Sequence, residues 1–218
     1  MPELEIIGLD FSNWVRAARI ACEEKGVPHT LVDPKISTPA DFRKPGHLAL
    51  HPFGRIPVLR HGGFRLYETA AICRYVDLSF DGPALVPGER RQAALMEQWV
   101  SVCIDYLARP IMGRFVVQYV LPALTGGTPD RAMIEAAIPE IRTLLGTLDR
   151  SIEQGPYLQG ATPYIGDFIL VPMLAGLTIT LEGPDLLDEA PKVKGLLAAF
   201  SKRPSFAATL PGMFRQAA

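Results

Sequence analysis

The chain has 218 residues, 48% hydrophobic and 21% charged, with a formal net charge of −1. That length supports one full core or two smaller ones, and the composition is that of an ordered globular protein rather than a disordered one. With 22 basic against 23 acidic residues, a pI near 6.4 and no basic block, nucleic acid and anionic membrane surfaces are excluded as general partners. The three cysteines, Cys22, Cys73 and Cys103, have no C-x-x-C spacing and sit in apolar helical patterns, so they read as buried reduced thiols in a cytoplasmic protein. The opening MPELEIIGLD lacks the basic flank and long apolar core of a signal peptide, and the most apolar run, Phe168–Leu181, is too short to span a bilayer. His29, His47, His51 and His61 have no ligand spacing, so no metal is expected.

In chain order, Leu4–Leu9 suits a buried strand, and Asp10-Phe11-Ser12-Asn13 breaks it. From Trp14, apolar residues at 14, 17, 18, 21 and 22 mark one face of a helix, with Arg16, Arg19 and Glu23 on the other and Gly26 as the C-terminal cap. His29–Asp33 is a second strand, parallel to the first by the right-handed crossover rule. Residues 34–49 read as an irregular segment with a short helix near Asp41–Lys44. Pro57–Arg60 and Phe64–Tyr67 form a hairpin around His61-Gly62-Gly63, followed by a helix over Ala70–Leu78. This is the element order of a thioredoxin-like domain, placed at 1–79.

Residues 80–90, including the Pro- and Gly-bearing FDGPALVPGE, form a linker, and 91–218 reads as all-α. Gln92–Leu107 carries a broad apolar stripe, Pro110 interrupts it, and Ile111–Leu121 continues as a second helix or a kinked extension. Thr128 is the expected cap of the next helix with Pro129 at its first position, and Pro139 is expected to kink it. Ile165–Leu181 is the central buried helix, and Pro191–Ser201 is a later one closed off by Pro204. The fold class is therefore α/β followed by an all-α bundle of roughly five or six helices.

His51-Pro-Phe-Gly-Arg-Ile-Pro-Val-Leu59 and the pair Glu68-Thr69 resemble the glutathione-binding half of the cytosolic glutathione transferase family. The resemblance implies a cis Ile56-Pro57 bond that turns the Ile56 backbone towards the cysteinyl backbone of glutathione, as an added strand would pair. It also implies that Glu68 and Thr69, at a helix start, receive the γ-glutamyl end, where free N–H groups favour an anion. Ser12 occupies the family's position for an activating hydroxyl or thiol. The first tyrosine is Tyr67 and the first cysteine is Cys22, so the tyrosine- and cysteine-type alternatives fall away. Ser12-Asn13-Trp14-Val15-Arg16 resembles serine-type bacterial or plant members, phi- or zeta-like. A hydroxyl donating to sulfur stabilises a thiolate whose unperturbed pKa is about 8.5, and one pKa unit corresponds to about 1.4 kcal/mol. The bland alternative is that Ser12 only caps the helix.

Arg55, where many relatives have glutamine, and Arg43 or Lys44 are candidates for the tripeptide's carboxylates, each also readable as a surface charge. His51 departs from the family's usual asparagine and reads as structural. Gly155–Phe168 resembles the signature before the central helix, with Tyr164 at the cap position and Asp167 in a structural role. By analogy the electrophile site involves Phe11, Tyr106, Met112, Phe115 and Tyr119, each also readable as core. The resemblance implies glutathione as co-substrate with no prosthetic group, a hydrophobic electrophile, detoxification, and a homodimer into which Phe53 inserts. Two rivals are a glutathione-dependent isomerase of the maleylacetoacetate type, whose Ser-Ser-Cys start is missing, and a non-catalytic glutathione-binding module.

Overall fold

The structure, a computed structural model, describes residues 3–212. It consists of two compact units. One takes the chain as far as Val86 and then again from Arg203; the other is Pro87–Lys202.

The first unit is built on a four-stranded sheet in the order β2-β1-β3-β4. β1 (Leu4–Ile7) pairs parallel with β2 (His29–Val32) and antiparallel with β3 (Val58–His61), which pairs antiparallel with β4 (Phe64–Tyr67). The parallel pair is joined by α1 (Asn13–Lys25), which ends at Gly26 with φ 75°. Pro57 lies just before β3, outside its ladder, and the Ile56-Pro57 bond is cis. The hairpin turn is Gly62-Gly63, with φ 59° at Gly62, a value that suits glycine at the first central position. Residues 39–50 contain a 3₁₀ turn, Pro39–Arg43, and a short helix α2, Pro45–Leu50, so more of this segment is helical than its sequence suggests. α3 (Thr69–Ser79) buries Thr69, Ile72, Cys73 and Val76.

The apolar stripe of α1 is wider than its spacing predicts, and Arg16 is not on the solvent face: it is 3% exposed. Its burial has a specific cause. The short helix α10 (Pro204–Ala208) opens at Pro204 and packs back on α1 in the same unit, although the sequence places everything after residue 91 with the helical domain. Arg16 donates from Nη2 to the Phe206 carbonyl at 3.2 Å and from Nε to Thr209 Oγ1 at 3.5 Å, and its guanidinium lies 4.2 Å from the centre of the Phe206 ring. Burial without a carboxylate partner lowers its pKa to about 10. Arg203 and Ser205 both bond Glu24, Arg19 reaches the Ala208 carbonyl, and the Gly212 N–H donates to Asp10 Oδ2 at 2.9 Å. Together these contacts strap residues 203–212 along α1.

The second unit is helical. Residues 90–125 form one helical run: α4 (Arg90–Val102), two wide π-type segments (Cys103–Leu107 and Arg109–Val116), then α5 (Val117–Thr125). Pro110 therefore neither ends nor splits the helix. It sits at the start of a π-type stretch, where its missing N–H is absorbed by the looser turn. α6 (Arg131–Ser151) is capped by Asp130, whose side chain accepts from Met133 N at 3.1 Å, and not by Thr128; Pro129 lies ahead of the helix. Pro139 lies within α6 on its exposed side, and the helix runs on through it to Ser151. α7 (Ile165–Leu177) is buried along nearly its whole length and ends four residues before the sequence suggests. α8 (Gly183–Asp188) and α9 (Pro191–Phe200) complete the unit. Asp167 is buried at the start of α7 and accepts N–H bonds from Leu158 and Tyr164, both at 2.9 Å, which is the structural role its place in the signature implies.

Candidate active site

The register of the sheet brings three turns to one end. Ile7 lies opposite Val58, and Val58 opposite Tyr67. The segment leaving β1, the cis-proline segment entering β3 and the segment leaving β4 therefore emerge side by side. This places Ser12, Ile56, Glu68 and Thr69 at a common edge of the first unit.

At the first turn, Gly8 is required by close packing, since a Cβ there would stand 2.3 Å from Val15 Cγ2. The chain then turns, with Ser12 N bonded to the Leu9 carbonyl at 3.1 Å, and Ser12 becomes the N-cap of α1. Its Oγ accepts from Val15 N at 3.5 Å, a long bond that uses one lone pair. The hydroxyl proton remains available to an outside acceptor. The first turn of α1 contains no acidic side chain, so its free N–H groups present uncompensated positive character beside that hydroxyl. Capping and activation are compatible here. Phe11, half-exposed, belongs to the same turn.

At the third turn, Glu68 adopts φ 73° and ends the strand with its carboxylate exposed and no side-chain capping bond. Thr69 opens α3; it is buried, and its Oγ1 donates to the Trp14 carbonyl at 3.4 Å, tying the starts of α1 and α3 together. The hydroxyl of Thr69 is thus committed to the fold, while the α3 N-terminus supplies N–H donors.

The basic candidates separate in the structure. Lys44 is ion-paired to Asp41 at 2.5 Å. Asp41 also accepts from the N–H groups of Ser37 and Thr38; the Lys44 bond and these amides hold its carboxyl well below the usual range. Arg43 instead donates from Nη1 to the Phe53 carbonyl at 3.3 Å, which attaches it to the loop preceding the cis proline. The Arg55 side chain is exposed, and its carbonyl accepts from His47 Nε2 at 2.9 Å. Gly54 in this loop has φ 60° and passes so close that a Cβ would lie 2.5 Å from the Phe42 carbonyl oxygen.

The chain is similar to known proteins along most of its length. Residues 11–78 match the family model for the glutathione S-transferase N-terminal domain, and residues 101–204 match that for the C-terminal domain. Maize glutathione S-transferase 4 is 30% identical over 94% of this chain and 90% of its own length. The chain belongs to the glutathione S-transferase family. Among solved structures, it is similar to a theta class glutathione S-transferase from Xanthomonas axonopodis pv. citri with glutathione bound. That protein is 29% identical with a TM-score of 0.81, covering 96% of this chain and 97% of the other. Maize glutathione S-transferase I in complex with an atrazine glutathione conjugate is 25% identical with a TM-score of 0.83, covering 96% of both chains.

The electrophile candidates of this transferase in the second unit have unequal surroundings. Tyr106 is 63% exposed and Met112 is half-buried. Phe115 is fully buried and belongs to the core, with its ring 5.8 Å from that of Tyr119, so it has no surface to offer a ligand. The Tyr119 hydroxyl donates to Glu182 and accepts from Arg131 Nη1 at 3.0 Å, and Arg131 is ion-paired to Glu182. Burial, then the bond to the Glu182 carboxylate, push the Tyr119 phenol up. A pocket of about 410 Å³ in this unit is lined by Ile152, Pro156, Lys192 and Leu196 among others, and by none of these four candidates. Among the described residues no group of three His, Cys, Asp or Glu side chains could hold a metal ion, and no helix is long and apolar enough to cross a membrane.

Two features of the first unit escaped the sequence. His47 is buried with its Nε2 bonded to the Arg55 carbonyl, and nothing in the local pattern separates it from a surface histidine, whereas the buried His51 agrees with its structural reading. The strap of residues 203–212 carries no signal in the sequence beyond the apolar Phe206.

Proposed function

We propose that this protein conjugates the thiolate of glutathione to an electrophilic small molecule, with the glutathione site at the sheet end that gathers Ser12, Ile56, Glu68 and Thr69. The observation that carries the reading is the convergence of a helix-capping hydroxyl with a free proton, a cis-proline segment outside the ladder, and a bare helix N-terminus behind an exposed carboxylate. Each matches one part of the tripeptide. The Ile56 main chain pairs with the cysteinyl backbone. The α3 N-terminus at Thr69 takes the γ-glutamyl carboxylate, while the Glu68 carboxylate takes its ammonium. Arg43, attached to the same loop, takes the glycyl carboxylate, and Arg55 flanks it; Lys44, already paired to Asp41, is spare.

Ser12 donates to the sulfur. A charge-assisted bond of about 1.5–3 kcal/mol lowers the thiol pKa by about one to two units, enough to populate the thiolate at neutral pH. The thiolate then attacks the electrophilic carbon, forming the C–S bond as the leaving group departs or as the pair of electrons moves onto an acceptor atom. Support also comes from the similar proteins captured with glutathione and with a glutathione conjugate. In the first unit, Phe11, on the same turn as Ser12, supplies apolar surface beside the sulfur; Tyr106, exposed, and Met112, half-buried, are the electrophile candidates in the second unit. The protein acts in the cytoplasm as a homodimer, with the 63% exposed Phe53 as the side chain offered to the second copy.

The test is retention on immobilised glutathione followed by turnover of a chloronitrobenzene. Retention with turnover is the expected result. A protein that neither binds glutathione nor consumes it would overturn the reading, and retention without turnover would leave a binding module.

A further inference from the structure

We propose that His51 is a positioning residue for glutathione, holding Glu68 from one ring nitrogen and the 51–54 loop from the other, and that it makes glutathione affinity pH-dependent. The inference rests on the glutathione site proposed above and concerns a position where the family usually has asparagine.

His51 is 1% exposed and its ring packs against that of Tyr67, with centroids 4.7 Å apart. The Phe53 N–H donates to its Nδ1 at 3.3 Å. That bond makes Nδ1 the acceptor, so in the neutral ring the proton sits on Nε2. Nε2 faces Glu68 Oε1 at 4.0 Å. The Glu68 side chain is exposed and makes no capping bond, so a small rotation closes this gap. One buried ring thereby spans the loop that precedes the cis proline and the carboxylate that begins α3.

A second proton on this ring has two consequences. It lands on Nδ1, against the Phe53 N–H, and abolishes the bond that holds the loop. It also sets a cation beside Glu68, where it competes with the ammonium of the γ-glutamyl end. The charged and titratable groups facing the ring are Glu68 at the start of α3, His47 on α2, Arg55 in the loop and the Tyr67 phenol on β4. Burial is the largest influence and disfavours the cation, His47 and Arg55 act in the same sense, and Glu68 opposes them; the balance lowers the His51 pKa below the ordinary imidazole value. The neutral ring therefore persists at neutral pH. The hold on the γ-glutamyl end is full there and weakens only as the pH drops below that lowered value.

The experiment is calorimetric titration of the full chain with S-methylglutathione, which has no thiol to ionise, between pH 5 and 7.5, with glutathione KM and kcat measured in parallel, for the wild type, His51→Leu and His51→Asn. The wild type should lose affinity for this probe at pH 5 relative to pH 7. His51→Leu should raise Kd and KM about five-fold at pH 7.5 with kcat at saturating glutathione little changed, and should lose the acid limb. His51→Asn should recover most of that affinity, because an amide oxygen can accept from Phe53 N–H while its NH₂ faces Glu68, yet show no acid limb. An acid limb that persists in His51→Asn overturns the proposal, as does wild-type affinity in His51→Leu. If the leucine variant does not fold, the limb in the asparagine variant still decides. A wild type that binds the probe equally at pH 5 and 7 removes only the role of His51, whereas one that fails to bind at any pH removes the site with it.

Discussion

The two units of this transferase place their polar groups differently. In the first, the groups proposed to meet glutathione are main-chain atoms and short side chains at turns: Ser12 at a cap, Ile56 beside a cis proline, Thr69 at a helix start. In the second, the polar groups are long side chains satisfied among themselves, as in Tyr119–Glu182–Arg131, or a buried carboxylate serving the backbone, as in Asp167. A site made of backbone leaves its mark in the sequence, since prolines, glycines and capping residues are needed at fixed spacing. A pocket made of side chains leaves no comparable mark, because the same residues serve equally well as core.

The largest way to break this contrast is at Asp167. Asp167→Ala leaves the N–H groups of Leu158 and Tyr164 without their acceptor, and unfolding in urea should show a loss of about 3–5 kcal/mol. In the first unit the corresponding weak point is a glycine. Gly8→Ala drives a methyl into Val15 and should cost about 1–3 kcal/mol, read as a lower denaturation midpoint. Ser12→Ala tests chemistry rather than stability: turnover should fall about ten-fold or more, the equivalent of one pKa unit of thiolate stabilisation, while glutathione retention is largely kept. An unchanged rate would reduce Ser12 to a cap. The smallest effects sharpen the division between the basic residues. Arg43→Ala should raise glutathione KM by about five-fold, and Lys44→Ala should leave it within about two-fold, because that ammonium is already spoken for by Asp41. Equal effects at both positions would dissolve the distinction.

The parallel first pair and the hairpin with its glycines are legible in the sequence, from the crossover rule and turn chemistry; the order β2-β1-β3-β4 and the pairing of β1 with β3 have no local signal. Nor is the burial of Arg16 legible. Its helical spacing is that of a solvent-facing residue, and only a segment nearly two hundred residues away makes it buried. Pro110 leaves a second helix and a continued one both open in the sequence; the wide turns at 103–107 and 109–116 carry the run on through it. Thr128 is the cap that Pro129 suggests, since proline suits a first helical position; the chain starts the helix two residues later, where the Asp130 carboxylate accepts from Met133 N. At the proposed site, the motif puts Glu68 and Thr69 at the start of α3, where the structure has them, but the different partners of Arg43 and Lys44 depend on side-chain contacts that no spacing encodes.

The strap of residues 203–212 along α1 has a consequence for biogenesis. During synthesis the sheet and α1 emerge early, but the groove over Arg16 stays uncovered until Phe206 and Thr209 have left the ribosome. The half of the molecule made first is therefore completed last, and a nascent chain halted anywhere in between would carry a bare arginine and an unfilled seam for chaperones to recognise.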